Sequence, residues 1–154
     1  MMNIREANKY DLPYFIELVK KLASAEHIMR YNFEELDDKH LTTIFSTIIA
    51  GRGSVLVVEN EKTKKLHGMA AGLIIPHMFA PHISIMTQIV LWVDEGFRKT
   101  AGYKLMKAYE DKTDEYMEEG RIRYGTLVAS KPLFEKDFGK FGYSMDEKVW
   151  IRGE

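Results

Sequence analysis

The stretch DEGFRKTAGYKLM, residues 94–106, gathers Arg98, Lys99, Thr100 and Gly102 behind a long apolar run and at the head of a charged helical segment. A helix start leaves backbone N–H groups without internal partners and carries the positive end of the helix dipole. A tight turn into that end aims those groups at one point, which suits an anion such as a pyrophosphate. Gly102 lets a phosphate approach the backbone, and Arg98 and Lys99 add charge. Taken alone, the same residues equally describe a basic strand-to-helix turn with nothing bound.

Other residues offer weaker chemistry, each with a plain structural alternative. Gln88 lies in the apolar run and either orients a water or is a satisfied polar group of the core. His77 and His82 flank the loop MFAP and can titrate near neutral pH. Two histidines are too few to hold zinc, no metal site is expected, and both also read as surface residues. Glu26 and His27 read as an acid–base couple or as an exposed loop. Glu34, Glu35, Asp37 and Asp38 would attract a cationic amine if they lined a cleft, and otherwise suit a helix start. Tyr103 and Tyr143 supply hydroxyls, and Phe134, Phe138 and Phe141 have the helical spacing of core residues. Met78 and Phe79, bracketed by Pro76 and Pro81, either contact a substrate or a second copy in a homodimer, or tuck back into the domain.

These residues need a scaffold, and 154 residues suit one domain, residues 1–154, with a real core. Hydrophobic residues at 45% beside charged residues at 29% give the balance of a soluble globular protein. A formal net charge of -1 makes the whole chain no match for nucleic acid or an anionic membrane. The absence of cysteine excludes disulfides, thiolate metal sites and a cysteine nucleophile, and fits a cytoplasmic location. The N-terminal residues show no apolar core of signal-peptide length. The run ISIMTQIVLWV is too short for a membrane-spanning helix.

The pattern predicts β-α-α-β-β-β-α-β-α-β in one domain. NIRE is a short strand, and YDLPYFIELVKKLASA a helix capped by Asp11 with Pro13 in its first turn. Leu12, Phe15, Ile16, Val19 and Leu22 make its buried face. KHLTTIFSTIIAG is a second helix, ended by Gly51. SVLVVEN, LHGMAAGLIIP and HISIMTQIVLWV follow with short links and read as an antiparallel meander. The third is apolar on both faces and therefore central. A helix through about Glu119, stopped by Gly120, leads to RIRYGTLVA, which the connecting helix makes parallel to the third meander strand. SKPLFEKDFGKFG reads as a short helix and YSMDEKVWIR as a final strand.

This order is similar to that of the GNAT superfamily of acyl-CoA-dependent N-acetyltransferases, and local sequence agrees. IREANKYDLPYFIEL looks like the family's opening strand and helix. VDEGFRKTAGYKLM resembles its cofactor motif, V-x-P-x-[YF]-R-G-x-G-x-G-x-x-L, through Val93, Phe97, Arg98, Gly102 and Leu105. MEEGRIRYGTLVAS resembles the strand after the motif helix, and FGKFGY the near-terminal Y-x-x-x-G-F. The resemblance spans nearly the whole chain. It implies a GNAT-like α/β (α+β) fold, a mixed, mostly antiparallel central sheet flanked by helices, and acetyl-CoA as cofactor. Leu91, Trp92 and Val93 would pair with the pantetheine arm where that strand splays from its neighbour. Arg98, Lys99, Thr100, Ala101, Gly102 and Tyr103 would hold the pyrophosphate, with Ser130 near a cofactor-contacting position.

The departures concern catalysis more than binding. Lys99 stands where the motif has glycine, and the loop is one residue shorter if Gly102 and Leu105 are aligned with the motif's helix positions. The family's frequent strand Glu falls on Ile89, and its Tyr acid falls on Phe138, so Gln88 becomes the catalytic candidate. The implied activity is acetyl transfer to an amine, on a small molecule or a protein, by direct attack in a ternary complex. The rival is a GNAT-fold binding or structural protein without transferase activity. The unusual motif also resembles acetyltransferase-like proteins encoded by bacteriophages, which would add host or phage macromolecules as targets.

Overall fold

β-Branched and small residues build the centre of the molecule. The computed structural model describes residues 1–24, 33–127, 139, 142–144 and 152. Strand β2, Gly53–Asn60, is buried at every position except Asn60. It pairs antiparallel with β1, Met2–Glu6, and with β3, Leu66–Pro76. β3 pairs antiparallel with β4, Ser84–Val93, and β4 pairs in parallel with the short β5, Gly125–Thr126. Among the described residues the sheet runs β1-β2-β3-β4-β5. This is the mixed, mostly antiparallel architecture that the sequence predicts, and β5 is parallel to β4 for the expected reason. The helix expected over residues 130–142 and the strand expected over residues 143–152 lie almost wholly outside the described residues.

Two helices cover one face. α1, Leu12–Ser24, and α2, Asp38–Thr47, bury Phe15, Leu18, Val19, Leu22 and Phe45 against Val55, Val57, Met69, Ala71 and Val90. A wide turn, Ile48–Arg52, ends α2 through Gly51 at φ 119°, a backbone conformation that favours glycine. The other face carries α3, Arg98–Glu118, whose Ala101, Leu105, Tyr109 and Tyr116 meet Leu56, Val58, Ala70, Met86 and Val93. Gly120, at φ 72°, follows its end.

One cap differs from expectation. Asn8, not Asp11, caps the N-terminal turn, its side chain accepting the Tyr10 N–H at 2.9 Å. Asp11 returns the bond by accepting the Asn8 N–H at 2.8 Å, a reciprocal capping box. Asp11 is displaced from the cap by a partner distant from the helix. Arg5 on β1 bridges Asp11 at 2.8 Å and Glu59 on β2 at 2.7 Å, so one guanidinium ties the sheet to the entry of α1.

Burial alone would raise the Asp11 carboxyl, but the bonds from Arg5 and the Asn8 amide outweigh it and hold it below its ordinary value. Arg5 likewise holds Glu59 low, against a smaller effect of burial. Both carboxylates therefore stabilise the fold above their unfolded pKa values, and that stabilisation is lost as pH falls through their folded ones. Arg5→Met leaves two carboxylates unpaired and is expected to lower unfolding free energy by about 2 kcal/mol at neutral pH, between the values for exposed and buried pairs. Urea titrations across pH test this: the gap to wild type should close as pH falls below about 4.

Candidate functional site

The site begins with a fault in the β3–β4 ladder. Ala71 pairs with Val90 and Gly72 with Gln88, so Ile89 is an extra residue on β4. Such a bulge reverses which backbone groups face which neighbour. Before it, the His77 N–H bonds the Ile83 carbonyl, so odd residues of β4 face β3. Even residues face β5: Ser84 accepts from the Arg123 N–H and Met86 donates to the Tyr124 carbonyl. Beyond the bulge the Asp94 N–H bonds the His67 carbonyl, so even residues now face β3. The backbone groups of Leu91 and Val93 therefore point to the β5 side. The described part of β5 pairs only with Met86 and Thr87. Among the described residues no strand pairs with the β5 side of Leu91 and Val93.

That edge leads directly into a helix start. A short turn, Glu95–Phe97, precedes α3. The Phe97 and Arg98 N–H groups bond the Asp94 and Glu95 carbonyls, which leaves those of Lys99 and Thr100 as the first-turn groups without a carbonyl one turn back inside α3. Arg98, Lys99, Thr100 and Tyr103 are exposed. Ala101 is 1% exposed and belongs to the core, so only its backbone can meet a ligand. Gly102 is the fifth residue of α3 and lies inside the helix rather than in the turn. A Cβ added there meets nothing within 4 Å.

The turn is pinned from both sides of the sheet. The Asp94 carboxylate accepts from Trp92 Nε1 at 3.0 Å, His67 Nδ1 at 3.0 Å and Lys21 Nζ at 3.2 Å. Burial would raise this carboxyl, but those three donors outweigh it and hold it below its ordinary value. An ionised acceptor requires the proton on His67 Nδ1. His67 reaches it because it is itself an extra residue, between Gly68 paired with Val58 and Leu66 paired with Glu59. Its ring also packs on Phe97, with centroids 4.3 Å apart. Arg98 Nε donates to the Val93 carbonyl at 2.9 Å, and its guanidinium lies 5.1 Å over the Trp92 ring. Nothing in the sequence pattern singles out Lys21, His67 or Asp94 for this site.

The remaining candidates scatter. Gln88 pairs with Gly72, whose missing Cβ makes room on the α3 face for the Tyr109 hydroxyl, so the side chain of Gln88 projects to that face. Ile89 and Val90 both belong to the α1–α2 face. Asp37 caps α2 by accepting the His40 N–H at 2.9 Å, and Asp38 pairs with Lys20 at 3.2 Å, so these acids serve the helix start. His77 Nδ1 accepts the Phe79 N–H at 3.2 Å within its own loop, and Met78 and Phe79 are 84% and 87% exposed. Tyr143 is half-buried, and its hydroxyl lies 4.0 Å from where a Cβ on Gly125 would stand. Glu26, His27, Ser130, Phe134, Phe138 and Phe141 lie outside the described residues.

No family model matches the chain, and no curated protein matches its sequence. Its fold is shared by solved acetyltransferases. A predicted acetyltransferase from Clostridium acetobutylicum, solved with acetyl-CoA, superposes with a TM-score of 0.73 at 21% identity, over 100% of this chain and 96% of the other. A Trypanosoma brucei acetyltransferase gives 0.72 at 18% identity over the whole of both chains. Glucosamine-6-phosphate N-acetyltransferase from Arabidopsis thaliana gives 0.70 at 19% identity, over 100% and 98%. At these identities the likeness is one of fold.

Because Gly102 is helical with open space above it, Gly102→Ala is expected to stabilise the protein by about 0.5–1 kcal/mol, through better helix propensity and a less free unfolded chain. Chemical denaturation reads this directly; a loss of stability would show that the helix start is not as described.

Proposed function

We propose that this protein binds acetyl-CoA and transfers its acetyl group to an amine. One observation carries the reading: the β5-side backbone edge of Leu91 and Val93, which no described strand pairs and whose Val93 carbonyl is taken by Arg98, runs straight into the first turn of α3. A ligand that needs amide-like pairing along an extended arm and an anion site at its end matches that combination, and the pantetheine and pyrophosphate of acetyl-CoA supply both. The N–H groups of Lys99 and Thr100 would meet the pyrophosphate, with the charges of Arg98 and Lys99 beside them. The likeness of fold to acetyltransferases, one solved with acetyl-CoA and one acting on glucosamine-6-phosphate, supports the same reading.

The chemistry is acyl transfer within a ternary complex. The neutral amine attacks the thioester carbon, the C–N bond forms, the C–S bond breaks with its electron pair on sulfur, and the proton that the amine nitrogen loses is balanced by the one that the leaving thiolate takes up. An N–H of the free β4 edge would hold the carbonyl oxygen as charge gathers on it. Juxtaposition of amine and thioester supplies much of the acceleration when the amine arrives deprotonated. A second reading rests on Ile89: the bulge residue is apolar and packs with the α1–α2 core, so β4 places no carboxylate there. On that reading the protein binds the cofactor without turnover.

Thermal unfolding with and without acetyl-CoA, followed by coenzyme A release over a panel of amines, separates the readings. A rise in Tm with release is expected. No shift at millimolar acetyl-CoA would overturn cofactor binding, and a shift without release on any amine would favour the binding-only reading. Arg98→Gln removes the charge and the strap to Val93, and is expected to weaken acetyl-CoA binding by about tenfold.

A further inference from the structure

The proposed anion site is built on a carboxylate, which by charge alone opposes an anion. Lys21 offsets part of that charge, at 3.2 Å from Asp94. The carboxylate nevertheless stays ionised, with only the turn Glu95–Phe97 between it and α3, so its use has to be geometric. Trp92 Nε1 donates to it at 3.0 Å, which fixes the rotation of the indole. The face of that indole lies 5.1 Å beneath the Arg98 guanidinium. Arg98 Nε is taken up by the Val93 carbonyl, so the guanidinium is held by a ring on one side and a strand end on the other.

We propose that Asp94 is the positioning residue of the cradle, holding Trp92 so that its ring carries Arg98 at the mouth of α3. The inference rests on the acetyl-CoA reading for its ligand, but not for the Asp94–Trp92–Arg98 linkage itself. Lys21 and His67 extend the linkage, tying α1 and the β3 bulge to the same carboxylate. The cradle is therefore braced by segments far from it in sequence.

Charge and geometry make opposite predictions for one substitution. Asp94→Asn removes a negative charge near the anion, so through-space electrostatics alone would tighten acetyl-CoA binding. Positioning predicts weaker binding, by about tenfold, the scale of one lost charge-assisted hydrogen bond. The loss should be confined to ligands with a pyrophosphate: S-acetylpantetheine, which lacks it, should bind both proteins within about twofold. Trp92→Phe keeps a ring but removes the donor, and should show the same selective loss if the path runs through the indole. Unchanged or tighter acetyl-CoA binding, or an equal loss for both ligands, would overturn the proposal. A ligand-free readout separates it from the functional reading. The Arg98 Nε–H should exchange with solvent measurably faster in Asp94→Asn than in wild type. Faster exchange with no acetyl-CoA binding by wild type would sink the cofactor and keep the linkage. Equal exchange would sink the linkage whatever binds.

Discussion

One extra residue in a strand governs the candidate site. Without Ile89 as a bulge, β4 would keep the same backbone parity along its length. Leu91 and Val93 would then bond β3, and their even neighbours would face the β5 side. The bulge also sets Ile89 and Val90 on one face, which turns Leu91 and Val93 to the α3 core and Trp92 to the other. Trp92 thereby lies with the α1–α2 core, and Lys21 of α1 reaches the same Asp94 carboxylate that the indole bonds. A single insertion thus decides both which backbone groups face the β5 side and which faces the side chains of Leu91, Trp92 and Val93 take.

Two carboxylates hold the surrounding elements by the same means. Asp11 and Asp94 each stay ionised in a partly desolvated place because several donors converge on them. Each donor set joins different elements: Arg5 of β1 and the Asn8 amide for Asp11, and Lys21 of α1, His67 of β3 and the neighbouring Trp92 of β4 for Asp94. Such bonds stabilise modestly but leave few alternative geometries, and a missing partner would strand a charge. The sheet–α1 junction and the β4–α3 turn are both fastened in this way.

The legibility of the fold varied with the range of the interactions behind each element. β3 reads from the sequence with the bounds Leu66–Pro76 that the structure shows, because apolar composition and flanking turn residues are local signals. α3 likewise appears where periodicity and Gly120 put it. Asp11 reads as the cap, whereas its carboxylate accepts from the Asn8 N–H and from Arg5, and the bond from Arg5 to Glu59 across the sheet is one that spacing does not reveal. The motif alignment sets Gly102 and Leu105 on helix positions, and both lie in α3, which begins at Arg98. Ala101 fell in the ligand set though its side chain fills the core.

The sequence by itself determined the kinds and order of the elements as far as β5 and the position of a basic helix start after β4, which sits beside the short β5 rather than at the middle of the described sheet. Those properties follow from backbone preference and hydrophobic period within a few residues. Only the tertiary structure decided the direction of the Leu91 and Val93 backbone groups, the convergence of Lys21, His67 and Trp92 on Asp94, and the stacking of Arg98. Each depends on the register between strands or on contacts between segments far apart in the chain. A one-residue slip in register reverses a strand's faces without changing a letter of its sequence.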